Sequence, residues 1–151
     1  MKISTKGRYG LRALLDLAAH PDDGPRRLDA IAESQAISRN YLHSLMIALK
    51  AAGLVRSRRG SQGGYVLARP AREITLARIL QVLEGPLALA DCVEDERLCR
   101  RAKNCVAHDM WSELSADIEN LFASVTLADL AARQAKTATS HCRPSSAKAK
   151  N

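Results

Sequence analysis

Between Asp29 and Leu67 the hydrophobic period changes from helical to alternating within forty residues, and few folds accept that order of elements. Asp29 to Gln35 reads as a short helix with Ile31 and Ala32 on its inner side, and Ala36-Ile37 makes a tight turn. Ser38 then caps a second helix whose Leu42, Leu45, Met46 and Leu49 form one apolar stripe. At about 100° per residue its opposite face carries Asn40, His43, Ser44 and Ile47, with Arg39 at the N-terminal end. Gly53 ends that helix, Leu54 to Arg59 alternates like a strand, Gly60 to Gly64 turns, and Tyr65-Val66-Leu67 returns. Two short helices on a tight turn are a helix-turn-helix, and a hairpin directly behind the second helix is the wing of a winged helix.

The expected fold is therefore mainly α with one small β-hairpin, a winged helix-turn-helix domain over residues 1–85. Ser4 and Thr5 are cap candidates for a first helix carrying Tyr9, Leu11, Leu14, Leu15 and Ala18, which His20-Pro21 and Gly24-Pro25 break. Thr75 caps Leu76 to Glu84, and Gly85-Pro86 closes it. Residues 86–108 form a cysteine-rich loop. From residue 109 to 132 we expect a dimerisation helix, with Trp111, Leu114, Ile118, Leu121 and Val125 at steps of three and four and Phe122 widening the stripe. Thr126 to Asp129 is a capping-box start of one further short helix. Residues 133–151, rich in Ala, Thr, Ser and Lys, are expected to form a disordered basic tail.

Charge narrows the partners. The net charge of +7 divides as +6 over residues 1–60, −4 over 61–132 and +5 over 133–151, so the excess near the helix-turn-helix is the part that shapes a basic surface. Double-stranded DNA is the expected partner. Arg39, Asn40, His43 and Ser44 are candidates for base contact, with Asn suited to adenine and Arg to guanine. Arg56, Arg58 and Arg59 beside mobile glycines suit phosphate or the minor groove, with Arg59, Ser61 and Gln62 at the wing tip, and Lys6, Arg8 and Lys50 are phosphate candidates. No apolar run approaches the roughly 20 residues that span a bilayer, and the N-terminus lacks a signal-peptide core. A cytoplasmic protein is the expectation, with no membrane partner, no small-molecule substrate and no enzymatic nucleophile-base pair.

Cys92, Cys99, Cys105 and His108 carry the remaining chemistry, separated by six, five and two residues. Structural zinc sites use cysteine pairs two to four residues apart, and this segment has no such pair. Longer loops between thiolates suit an iron-sulfur cluster, in which one imidazole would raise the potential. Zinc on irregular loops and thiols without metal stay open alongside it. Arg97, Arg100, Arg101 and Lys103 would offset thiolate charge, diluted by Asp91, Glu94, Asp95 and Glu96. Cys142 stands apart in the tail.

Residues 1 to about 132 resemble the winged-helix iron-sulfur transcriptional regulators, most closely the IscR type. The resemblance rests on Met1 to Tyr9, on Ile37-Ser38-Arg39-Asn40-Tyr41-Leu42 and on Arg59 to Tyr65. It continues through the three cysteines followed by His108-Asp109-Met110-Trp111 and ends with Val125 to Leu130. It implies a homodimeric regulator, repressor or activator, holding one 2Fe-2S cluster per subunit through Cys92, Cys99, Cys105 and His108, with cluster state altering promoter binding. Two departures stand out: a first inter-cysteine loop of six residues where five are expected, and Arg8 where nitric-oxide-sensing relatives with a 4Fe-4S cluster place a carboxylate ligand. Competing readings are a nitric oxide, thiol or zinc sensor on the same DNA-binding frame, and a small iron-sulfur electron carrier, which has no use for a wing.

Overall fold

Ser4 starts the first helix, its hydroxyl accepting from the amides of Lys6 (3.1 Å) and Gly7 (3.4 Å), as an N-cap does. A computed structural model describes residues 2–21, 23–60 and 62–141, with side chains through residue 137. Helix α1 (Thr5–Ala19) buries Gly7, Gly10, Ala13, Leu14, Asp16 and Leu17. Helix α2 (Leu28–Gln35) turns its Ile31 and Ala32 inward and stops at Ala36, whose φ of 50° is left-handed. That turn lets the Ile37 amide reach the Ala32 carbonyl at 2.9 Å and sends the Ile37 side chain into the core.

Helix α3 (Arg39–Ala51) lies on Leu42, Leu45, Met46 and Leu49, all buried. Ser38 takes the extended N-cap backbone, but its hydroxyl makes no capping bond; the helix begins instead on the Ser38 carbonyl, which accepts from Leu42 N at 2.9 Å. Strands β1 (Val55–Arg58) and β2 (Gly64–Leu67) pair antiparallel from Val55 opposite Leu67 to Arg58 opposite Gly64. Arg26 adds a single-residue third rung, exchanging amide and carbonyl with Tyr65 at 2.9 and 2.8 Å.

Helix α4 (Leu76–Glu84) is capped by Thr75, whose hydroxyl accepts from Arg78 N. It crosses α1 at two glycines: a Cβ on Gly10 would stand 2.3 Å from Leu83 Cδ1. Glu84 Oε1 accepts from the Ser4 amide and hydroxyl at 3.1 and 2.8 Å, closing the same crossing. After α4 the chain makes a short helix α5 (Asp91–Glu94) and two 3₁₀ turns, Glu96–Leu98 and Ala102–Asn104, then helix α6 (Val106–Ala123) and helix α7 (Leu127–His141).

The second half of the chain departs from expectation in three ways. Val125 lies beyond the end of α6, and its carbonyl accepts from Leu76 N at 2.8 Å, so it serves the α4 junction rather than an α6 seam. Leu127 is fully buried in the same core as Leu14 and Leu42, and α7 packs against α1, so residues 1–85 do not complete the winged domain by themselves. Finally, α7 runs to His141 where an unstructured tail was expected from residue 133. Thr126 and Asp129 form a reciprocal capping box, and the alanines, Gln134 and Lys136 that follow are strong helix formers, which carries the helix past its packed turn. Cys142 lies outside the described residues.

Candidate functional site

The exposed face of α3 carries Arg39, Asn40, His43, Ser44 and Lys50, because the buried stripe at Leu42, Leu45, Met46 and Leu49 leaves those positions outward. A recess of about 330 Å³ runs between α2, α3 and the hairpin, and Arg39, His43, Arg58, Gly63 and Gly64 share its lining. Arg27, at the N-cap of α2, lines it too. Nothing in the sequence singled out Arg27, since a residue between two elements belongs to neither period; its adjacency to the strand-like Arg26 was the available signal. Arg59 and Gln62 are exposed at the wing tip, and Ser61 falls outside the described residues.

Several of these side chains already hold partners. Arg39 is paired with Asp29 across the helix-turn-helix, an exposed contact that solvent screens. Ser44 Oγ donates to the Tyr41 carbonyl at 2.7 Å, so its hydroxyl proton is occupied by its own helix. Lys50 Nζ donates to Ser57 Oγ at 2.8 Å, which ties the end of α3 to β1. Arg8 donates to Ser4 O at 3.4 Å and Thr5 Oγ1 at 3.1 Å, while Lys6 is exposed.

Behind the helix-turn-helix, Asp16 organises the elements that hold the wing. Arg26 Nε and a terminal nitrogen donate to its two oxygens at 3.0 and 3.4 Å, Gln35 Nε2 donates at 3.2 Å, and Ser34 Oγ also donates. Burial pushes the Asp16 carboxyl up, but the hydrogen bonds from Arg26, Ser34 and Gln35 and the Arg26 charge together hold it below its ordinary value. The Arg26 backbone is the third rung beside Tyr65, so α1, the C-terminus of α2 and the hairpin are coupled through the Asp16 carboxylate and Arg26.

In the cysteine segment, Cys92, Cys99 and Cys105 are free, half-buried thiols. Cys92 stands in α5, Cys99 follows the first 3₁₀ turn, and Cys105 is the N-cap of α6. Ala102, 2% exposed, anchors the stretch between the last two. His108 lies in the first turn of α6, its side chain 12% exposed, and both ring nitrogens are buried without a hydrogen-bond partner. Asp109 Oδ1 lies 3.5 Å from Nδ1 without the alignment of a hydrogen bond. An imidazole left so is costly unless something else meets it.

The thiols, together with that imidazole, match a soft metal or cluster in donor chemistry, whereas their positions do not: among the described residues, no three Cys, His, Asp or Glu side chains converge as a metal-binding group. Of the surrounding cations, Arg97 is committed to Asp95 at 2.8 and 2.9 Å, and hydrogen bonds from its side chain and amide hold the Asp95 carboxyl low. Arg97 is therefore not free to offset thiolate charge, which leaves Arg100, Arg101 and Lys103 exposed beside the thiols.

The expected dimer face is partly open. On α6, Trp111 is 44%, Leu114 38% and Leu121 62% exposed, joined by Met110 at 51%, while Ile118 and Phe122 are half-buried. No helix among the described residues is long and apolar enough to cross a membrane.

Comparison with known proteins agrees with this arrangement. The family model for Rrf2, described as an iron-dependent transcriptional regulator, matches residues 3–133. The HTH-type transcriptional regulator CymR of Bacillus subtilis (strain 168) is 41% identical over 131 residues, which is 87% of this chain and 90% of that protein. The HTH-type transcriptional regulator IscR of Yersinia pseudotuberculosis is 37% identical over 134 residues, 89% of this chain and 81% of that protein. Among solved structures, that of B. subtilis CymR, described as the global cysteine regulator, superposes with a TM-score of 0.73 at 40% identity, covering 88% of this chain and 98% of the other. T. potens IscR superposes with a TM-score of 0.72 at 39% identity, covering 96% and 93%. With a winged helix-turn-helix in place and the match spanning nearly all of the described chain, the protein belongs to the Rrf2 family of DNA-binding transcriptional regulators, a family of regulators rather than enzymes.

Proposed function

We propose that the chain is a homodimeric regulator whose promoter affinity is set by an iron-sulfur cluster, of 2Fe-2S type, held by Cys92, Cys99, Cys105 and His108. The observation that carries this reading is His108: a nearly buried imidazole with neither nitrogen satisfied, in the helical turn that follows Cys105. Such a group is unfavourable in a cytoplasmic chain unless a ligand takes one nitrogen. The cluster, when bound, would supply a redox-sensitive and labile link among the four donors. The protein's own part is to draw the 3₁₀ turns at Glu96–Leu98 and Ala102–Asn104 inward, since the donors stand apart without it.

DNA recognition then falls to α3 and the wing. Asn40 and His43 present free polar edges for bases, and Arg39 becomes available on exchange of its exposed Asp29 partner for a base or phosphate. Arg59 and Gln62 reach the minor groove, while Lys6, Arg8 and Lys50 lie nearer the phosphates. Ser44, with its proton engaged, contributes as an acceptor.

A second reading keeps the DNA-binding frame and makes the cysteines a thiol sensor. It is favoured by the similarity to a protein described as a global cysteine regulator and by the dispersed positions of the three thiols. The two separate on one preparation. Anaerobically purified protein should show sulfur-to-iron charge-transfer bands, with iron and sulfide in equal amounts and little zinc, and His108→Ala should lose or shift those bands. A gel-shift titration on the chain's own upstream DNA should then change midpoint when the cluster is removed with a chelator. Colourless protein whose binding of this DNA ignores the chelator but changes midpoint between reduced and oxidised thiols would remove the cluster reading and leave the thiol sensor.

A further inference from the structure

A second recess lies behind the wing, apart from the cysteine segment, and meets the recognition recess only at Arg58 and Tyr65, which line both. Its volume is about 320 Å³, at the small end of the roughly 300–1,000 Å³ range of ligand sites. Leu17 and Ala18 at the end of α1, with Val66 of β2 and Ala71, supply apolar wall. Strand alternation decides which side chains of the hairpin face it. Val55 is buried in the core and Ser57 takes the Lys50 hydrogen bond, so both point toward α3. Arg56, between them, therefore faces the opposite way, as does Val66, its cross-strand partner. Arg69, from the turn after β2, reaches the same recess.

The charge there is unbalanced. Arg26 also lines the recess, but its guanidinium is held by Asp16 at 3.0 Å. Arg56, Arg69 and Arg58, the last shared with the recognition recess, have no carboxylate partner, and no acidic residue lines the recess, in both cases among the described residues. Guanidinium groups beside a low-dielectric wall concentrate positive potential, and their planar forks match carboxylate or phosphate oxygens. DNA phosphate needs no apolar wall, and Arg56 and Val66 stand on the hairpin face opposite the one that Val55 and Ser57 turn to α3.

We propose that the recess behind the wing binds a small organic anion, a carboxylate or phosphate monoester, with Arg56 and Arg69 on its charged end and its apolar body against Leu17, Ala18 and Val66. The site shares no residue with Cys92–His108, so it stands or falls independently of any metal.

The test is an amide NMR titration of the full chain with benzoate and with phenyl phosphate, using inorganic phosphate and benzyl alcohol as controls. The organic anions should shift the Leu17, Ala18, Val66 and Ala71 amides saturably, and each control should bind about tenfold more weakly or worse. Arg56→Gln and Arg69→Gln should each weaken the organic anions by about tenfold, the scale of one charge-assisted hydrogen bond, while Arg78→Gln on exposed α4 should not. Inorganic phosphate binding as well as phenyl phosphate would make this a generic basic surface and overturn the proposal. So would equal loss in Arg78→Gln, shifts confined to the wing tip, or no saturation by either organic anion.

Discussion

Asp16 is 3% exposed and takes hydrogen bonds from Arg26, Ser34 and Gln35, which makes it the single polar side chain on which the position of the wing depends most directly. Its folded-state pKa is depressed, so its stabilisation is fully present above the unfolded value and is lost as pH falls through the lower, folded one. The sensitive window therefore lies below about pH 4, the ordinary range for an aspartate, and not near neutrality. Asp16→Asn keeps the shape and the acceptor oxygen while removing the charge that Arg26 faces. We expect it to cost roughly 2–3 kcal/mol at pH 7, the scale of hydrogen bonds to a charged group. In urea melts the gap between wild type and variant should shrink as pH falls below about 4, where first the unfolded and then the native carboxyl protonates. A gap that stays constant across that range would mean that shape, and not charge, sustains the network. His108 is the contrasting residue: its side chain is 12% exposed and neither ring nitrogen has a hydrogen-bond partner, so it contributes no such bond in this structure.

Among the elements, the wing shows what a sequence discloses and what it withholds. Its two strands were legible because Gly53 and the Gly60–Gly64 turn punctuate an alternating run, and the α3 stripe was legible because four buried positions repeat at helical spacing. The third rung at Arg26 was not, because a single-residue bridge has no period to detect. For the same reason Leu127 gave no sign of joining a core built from Leu14 and Leu42: distant packing partners leave no local pattern. The cysteine segment sits between these cases, since spacing identified four donors but carries no information on whether the backbone closes around a ligand. The third rung makes its own demand on sequence. A Cβ at Gly64 would stand 2.4 Å from the Arg26 carbonyl oxygen, a backbone atom that cannot rotate away. Gly64→Ala should therefore push Arg26 off Tyr65 and cost roughly 1–3 kcal/mol, as overpacking does. Hydrogen exchange would see it as faster exchange at the Arg26 and Tyr65 amides, with the α3 amides unchanged. If α3 loosens equally, hairpin and recognition helix are one cooperative unit.

At the scale of the whole molecule, charge and apolar surface are segregated: the basic excess lies over residues 1–60, and the acidic excess lies over residues 61–132, the stretch that includes α6. Met110, Trp111, Leu114 and Leu121 leave that helix with more apolar surface in water than a monomer has reason to carry. In the proposed dimer a second copy covers this stripe, which spaces two α3 helices for two half-sites and sets Cys92–His108, at the base of α6, beside the interface. Leu114→Glu combined with Leu121→Glu tests that placement without touching the buried core, because both residues are exposed in the single chain. The double variant should keep the helical signal of the folded domain but sediment as a monomer. Its affinity for palindromic DNA should fall by about 10²-fold or more, since the second half-site is no longer bound intramolecularly. The salt dependence should fall too, because half the phosphate contacts are lost, bringing the slope of log affinity against log salt to roughly half its wild-type value. A variant that remains dimeric would assign the stripe to another partner. One that is monomeric yet binds with an unchanged slope would show that a single winged domain makes all the DNA contacts.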